Sequence, residues 1–255
     1  MVPKQFHQWL KVFGKVESER MSVRKVWDHE INLREEFKAS KAKVYLLSRN
    51  ERDEVQKFVD KHLKKGYIRP SKSEQTSPVF FIEKKDEEKR MVMDYRKLNR
   101  QTIKNNYLLP LIIELVDNME SKQVFTKMDL RWGYNNVCIK ERDEWKAAFT
   151  THVGLFELVV MFFGMTNSPA TFQVMMNGIL RDMINEGKVA AFVDDVLVGT
   201  ETEEEHDKVV EEVLRRLEKN DLYIKPEKCV WKVRKVLSQT SFGCISMNNG
   251  SFSMI

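Results

Sequence analysis

Residues Lys188 to Gly199, KVAAFVDDVLVG, constrain the fold more than any other stretch. Two apolar runs, Val189 to Val193 and Val196 to Val198, flank the adjacent carboxylates Asp194 and Asp195. Short runs rich in β-branched residues read as buried strands. Joined by a two-residue turn they form a hairpin with the aspartates at its tip. Asp-Asp is a poor turn pair, because Asn-Gly or Asp-Gly would better accept the positive φ angles of a tight hairpin. Adjacent anions also repel, and apolar flanks strengthen that repulsion. A divalent cation is the natural compensation. A plain solvated turn remains open on the dipeptide alone. A P-loop does not: Gly14-Lys15 and Gly187-Lys188 are each followed by Val, and neither has a glycine five residues earlier.

The 255 residues provide ample core for one large domain or two small ones. With 42% apolar and 32% charged residues, the composition is that of a soluble globular chain. No stretch approaches the roughly 20 apolar residues of a membrane span. The first residues lack the apolar core of a secretory signal. Cys138, Cys229 and Cys244 show no pairing or CxxC spacing, so an intracellular, reduced protein without a cysteine zinc site is expected. A net charge of +5 permits a polyanionic partner without demanding one. Lysines and arginines crowd the region before residue 105, and acids collect at Glu201 to Glu212.

Along the chain, residues 1–47 show no clean periodicity and read as a lead-in arm. Ser48-Arg-Asn-Glu51 is a capping box that opens a helix with Val55, Phe58, Val59, His62 and Leu63 at helical spacing, stopped by Gly66. His62 reads as a half-buried helix residue, not a ligand. Val79 to Ile82 and Met91 to Met93 read as paired strands around a charged turn, with Lys84, Lys85, Lys89 and Arg90 close to it. Such a basic hairpin can fold over a polyphosphate, or it can be an ordinary solvated turn.

Pro110 is expected to open a helix with Leu111, Leu115 and Met119 on one face. Val124 to Leu130 is a strand with Asp129 near its C-terminal end, where a catalytic carboxylate or a salt bridge could stand. A polar strand to Lys140 and a strand pair, Ala147 to Thr150 with Phe156 to Met161, are expected next. Ser168 is a good N-cap and Pro169 a good first residue for a helix running to Gly187. Thr202-Glu-Glu-Glu205 caps another helix, with Val209, Val210, Val213, Leu214 and Leu217 inward. A strand from Leu222 to Lys225 follows.

This order of parts closely resembles the reverse transcriptase of long-terminal-repeat retrotransposons of the Ty3/gypsy type. The matching segments are Ser77 to Thr102, Pro110 to Lys140, Phe149 to Gln173, Phe192 to Thr200 and Glu204 to Cys229. The resemblance implies an α+β chain, a right-hand polymerase with fingers and a palm that is a ferredoxin-like antiparallel sheet with helices on one face. It implies an arm over 1–47, fingers over 48–106, a palm over 107–236 that includes a further fingers segment at about 140–165, and a divergent tail over 237–255. It makes Asp129, Asp194 and Asp195 ligands of two Mg²⁺ ions, with Mn²⁺ as a substitute, for nucleotidyl transfer from dNTPs to a primer 3′-hydroxyl. Phe192 stands where the family usually has tyrosine.

By the same resemblance, Lys84 and Arg90 contact the triphosphate, and Tyr134 lies beneath the sugar and disfavours a ribose 2′-hydroxyl. Phe163 and Gly164, with the segment to Gln173, hold nucleotide and template. Lys228 fits a lysine that protonates pyrophosphate. The implied partners are an RNA or DNA template-primer and dNTPs, with no membrane. After Val236 the family's Phe-Leu-Gly primer-grip hairpin is replaced by Leu237-Ser-Gln-Thr-Ser-Phe-Gly-Cys-Ile-Ser246, with Phe242-Gly243 as a displaced remnant. By the same resemblance the thumb and RNase H are expected to be absent, with missing polyprotein domains (thumb, RNase H, integrase) or a second subunit as the expected partners. The expected location is intracellular, in cytoplasm or nucleus. Two rival readings remain: a catalytically inactive remnant that binds nucleic acid, and a partner-binding domain.

Overall fold

The computed structural model describes residues 2–83, 89–234, 246–247 and 250–251. In chain order the helices are α1 (Arg49–Lys64), α2 (Arg96–Gln101), α3 (Ile112–Asp117), α4 (Ser168–Ile179), α5 (Arg181–Asn185) and α6 (Glu203–Lys219). The strands are β1 (Ile68–Pro70), β2 (Ser77–Glu83), β3 (Lys89–Met93), β4 (Val124–Arg131), β5 (Ala148–Thr151) and β6 (Gly154–Leu158). They continue with β7 (Val189–Phe192), β8 (Asp195–Thr200), β9 (Tyr223–Ile224) and β10 (Val230–Arg234). These elements form two compact units. The first comprises Met1–Ser18, Tyr107–Gly133 and Phe172–Ile255, the second Glu19–Asn106 and Tyr134–Thr171.

The first unit is built on an antiparallel sheet of order β10-β4-β8-β7, with β9 pairing the end of β4. Alternation along β4 and β8 gives the sheet two different faces. Val124, Thr126, Met128 and Leu130, with Val196, Val198 and Thr200, are buried on the face that meets α6. There α6 turns in Val209, Val210, Val213, Leu214 and Leu217, the inward set its spacing predicts. His206 bridges the two layers from α6, with Nε2 2.7 Å from the Thr126 hydroxyl and Nδ1 3.0 Å from that of Thr200. The opposite face carries Phe125, Lys127 and Asp129 beside Asp195 and Leu197. Leu115, Met119 and Ala190 pack with Phe125 and Leu197 at one end of it.

The second unit holds a sheet of order β1-β6-β5-β2-β3, antiparallel except for the β2–β5 pair. The capping box at Ser48 and Glu51 is present in full, and α1 buries Val55 and Val59 while His62 is half-buried. The β2–β3 pair runs from Val79↔Met93 to Glu83↔Lys89. Lys84, Lys85 and the charged turn between these strands lie outside the described residues, as does the 235–245 stretch containing Phe242-Gly243.

Several local expectations are corrected. The hairpin turn is Val193-Asp194, because Asp195 already pairs with Phe192 as the first residue of β8. The helix after Pro110 begins two residues later, and Leu111 is exposed. Between Asn136 and Lys140, isolated bridges from Cys138 and Ile139 replace the expected strand. Ser168 is the first residue of α4 rather than its cap, and its buried hydroxyl has no partner among the described residues. That helix breaks at Leu180 into α4 and α5.

Thr202 caps α6 by accepting from the Glu205 N–H, but the Glu205 carboxylate reaches Lys188 at 3.1 Å. Phe6, Val12 and Phe13 are buried in the first unit, where Phe6 and Phe13 pack on Trp231, and His29 and Ile31 are buried in the second. β10 was not legible in the sequence, since its VWKVR run keeps only a half-buried pattern.

Candidate active site

In the first unit, Asp129 and Asp195 are direct cross-strand partners on the sheet face away from α6. Asp194 follows in the hairpin turn, whose carbonyl accepts from the Leu130 N–H at 2.8 Å. The turn itself is strained: Val193 has φ +51°, a left-handed conformation that β-branched residues avoid. Gln173 of α4, fully buried, holds it. Its amide oxygen accepts from the Val193 N–H at 2.8 Å, and its amide nitrogen donates to the Ala191 carbonyl at 2.8 Å. Gly133 leaves room beside it, where a Cβ would stand 3.4 Å from that of Asp194 and 3.2 Å from the Phe172 ring.

Burial, then the nearby Asp129 and Asp195 charges, pushes the Asp194 carboxyl above its usual range. Three lysines answer this negative charge. Lys225 is ion-paired with Asp129 Oδ1, Lys228 stands 3.5 Å from Oδ2, and Lys127 lies 3.1 Å from Asp195 Oδ1. Lys228 is thus brought to the acids. Lys127, Lys225 and Gln173 were not singled out from the sequence for the contacts they make. The alternation of β4, which puts Lys127 on the same face as Asp129, was the one signal available.

Among the described residues no three Asp, Glu, His or Cys groups are drawn into a metal-ligating arrangement. The donor chemistry nevertheless fits a hard divalent cation. Carboxylate oxygens from two paired strands and their turn share one locality, and ammonium groups sit on two of them.

In the second unit, Tyr134 is buried and its ring lies 4.7 Å from that of Phe163, which is 59% exposed. The Arg90 guanidinium lies 5.9 Å from the Phe163 ring centre, within cation–π range. Gly164 has φ +111°, and a Cβ there would be 3.3 Å from the Met93 carbonyl. Asn99 fixes this segment by donating to the Gly164 carbonyl at 2.7 Å and accepting from the Thr166 N–H at 3.0 Å. Lys84 lies outside the described residues. The same unit contains a cavity of about 540 Å³ lined by Lys41, Lys43, Arg96, Lys97 and Arg100, with Tyr45 and Asp94. Arg96 holds both Asp94 oxygens, at 2.8 and 2.7 Å, which leaves the lining strongly cationic.

An antiparallel sheet with acids on a central strand and on the adjoining hairpin is the architecture of a polymerase palm. The foamy viral protease-reverse transcriptase in complex with RNA/DNA hybrid shares the fold, with TM-score 0.78 and 23% identity over 89% of this chain and 30% of that one. The same enzyme in complex with dsDNA gives TM-score 0.79 at 22% identity, covering 92% of this chain and 48% of that one.

The chain belongs to the reverse transcriptase (RNA-dependent DNA polymerase) family, whose model matches residues 82–243. Its curated relatives include the Transposon Tf2-3 and Tf2-7 polyproteins of Schizosaccharomyces pombe, each 39% identical over 171 residues. That alignment covers 67% of this chain but only 13% of each polyprotein.

Proposed function

We propose that this chain carries the catalytic core of an RNA-directed DNA polymerase that extends a primer 3′-hydroxyl with dNTPs on an RNA or DNA template. The reading rests on the direct pairing of Asp129 with Asp195 beside Asp194, in a chain of this family. Asp129, Asp194 and Asp195 would hold two Mg²⁺ ions, or Mn²⁺ in their place, which supply charge neutralisation at the attacking and leaving oxygens. Gln173 fixes the hairpin so that Asp194 and Asp195 keep their relation to Asp129. Arg90, with Lys84, takes the triphosphate, and Tyr134 with Phe163 forms the platform for the incoming sugar and base. The cationic cavity around Arg96 and Lys97 attracts a phosphate backbone, an interaction that weakens with salt. Lys228 is assigned proton delivery to the departing pyrophosphate. The first unit corresponds to the palm and most of the second to the fingers.

A second reading, nucleic-acid binding without catalysis, is favoured by the two lysines on Asp129. Primer extension on oligo(dT)-primed poly(rA) with Mg²⁺ separates them. Extension by the parent and none by the Asp194→Asn, Asp195→Asn double variant supports the polymerase. Salt-sensitive binding by a folded parent that extends nothing favours the second reading. Among the described residues no helix is long and apolar enough to cross a membrane.

A further inference from the structure

Asp129 has an ammonium group near each of its oxygens, and the two lysines are not equivalent. Lys228 is 59% exposed and 3.5 Å away. Lys225 is only 23% exposed and is held beside Asp129 by its own backbone. Its N–H donates to the Asp129 carbonyl at 2.9 Å, immediately after β9 has paired with Leu130 and Arg131. Its carbonyl accepts from the Lys228 N–H at 3.0 Å and from the Cys229 thiol at 3.2 Å. A surface lysine can swing into water at little cost, but this one leaves the carboxylate only by breaking a partly desolvated ion pair.

We propose that Lys225 competes with divalent cations for Asp129, so that metal binding at the aspartates is an exchange in which the Lys225 ammonium is displaced. The inference rests on the metal-binding reading above and goes beyond it, by giving the chain a built-in counter-ion that sets how much divalent cation the site requires. Lys127 differs, because it pairs with Asp195 from within β4 itself. Removing the Lys225 charge removes both a competitor for Oδ1 and a repulsion on the incoming cation, and both changes tighten binding.

The experiment is titration of the whole chain with Mn²⁺, free ion being read by electron paramagnetic resonance, a measurement that needs no catalysis. The proteins are the parent, Lys225→Met, Lys225→Arg, Lys228→Met and Asp129→Asn, with circular dichroism to establish folding. Lys225→Met is expected to bind Mn²⁺ about tenfold more tightly than the parent, Lys225→Arg about as weakly as the parent, and Lys228→Met only about two- to threefold more tightly. Should Lys225→Met not fold, Lys225→Gln takes its place. Equal or weaker binding by the neutral variant, while Asp129→Asn still loses affinity, overturns the inference and leaves the metal site standing. Binding unchanged in Asp129→Asn overturns the metal site, and the inference with it.

Discussion

Asp129 on β4 and Asp195 on β8 face each other as direct cross-strand partners, so two carboxylates share one face of a sheet whose other face is sealed by α6. Like charges directly opposed across an antiparallel pair are destabilising, and Asp194 adds a third, partly buried carboxyl at the turn. The lysines at 127, 225 and 228 offset that repulsion and tie the acids to β4 and to the stretch that follows β9.

Relief of the charge crowding separates stability from activity. Asp194→Asn removes a carboxyl whose ionisation is opposed by burial and by its two neighbours. Without added divalent cation the variant is expected to melt above the parent, with a gain of about 1 kcal/mol. The same variant is expected to lose primer extension by at least about a hundredfold. Calorimetry and extension assays on one preparation check both; a lower melting temperature would show that the Asp194 charge is fully compensated.

Gln173→Leu leaves the Val193 N–H and the Ala191 carbonyl without their side-chain partner. The expected cost is on the order of 2 kcal/mol in urea unfolding, with a larger proportional fall in extension rate than in template affinity. Val193→Gly tests the other half of the arrangement. Glycine accepts the left-handed backbone, so this variant is expected to be within about 0.5 kcal/mol of the parent or more stable, despite losing its side chain.

Gly164→Ala places a methyl 3.3 Å from the Met93 carbonyl at φ +111°. A loss of about 1–3 kcal/mol is expected, with Asn99 no longer able to hold both the Gly164 carbonyl and the Thr166 N–H. Amide exchange at Thr166 is the direct readout, and protection equal to the parent's would contradict the account.

Two buried histidines set an acid limit on stability. Desolvation lowers His29 and His206 from the ordinary 6.5 to about 4. Between those values the unfolded chain binds protons that the folded chain refuses, so stability falls as pH drops through the window and levels off below about 4. The drop from 6.5 to about 4 sets a ceiling of roughly 3 kcal/mol on the loss from each histidine. Urea midpoints measured from pH 7 to pH 4 are expected to fall, and His206→Gln to flatten the slope.

Much of the first unit was legible because its signals are local. The two runs around Asp194-Asp195 pair as a hairpin since apolar β-branched residues have no alternative but burial. The inward residues of α6 follow its helical spacing, and in the second unit the capping box at Ser48 and Glu51 closes within a single turn. Elements that depend on distant partners carry no such local signal. Phe6 and Phe13 pack on Trp231 while Gln5 and Gln8 reach α6, and β10 pairs along the edge of β4. Leu111 is exposed although it lies at helical spacing, since α3 is too short to use it. The one-residue shift of the hairpin turn came from outside the hairpin too. Gln173, in the second turn of α4, stabilises a conformation that Val193 would not adopt alone.

The sequence by itself singled out the candidate site residues: the three aspartates, the aromatic pair Tyr134 and Phe163, and the glycine at 164. Motif order and residue type suffice for that, because catalytic chemistry depends on the identity of the groups. Only the tertiary structure decided that Asp129 faces Asp195, that Gln173 bears the strained turn, and that Lys225 sits on Asp129. Those relations join segments far apart in the chain, and they are fixed by strand register and burial, which no local pattern encodes.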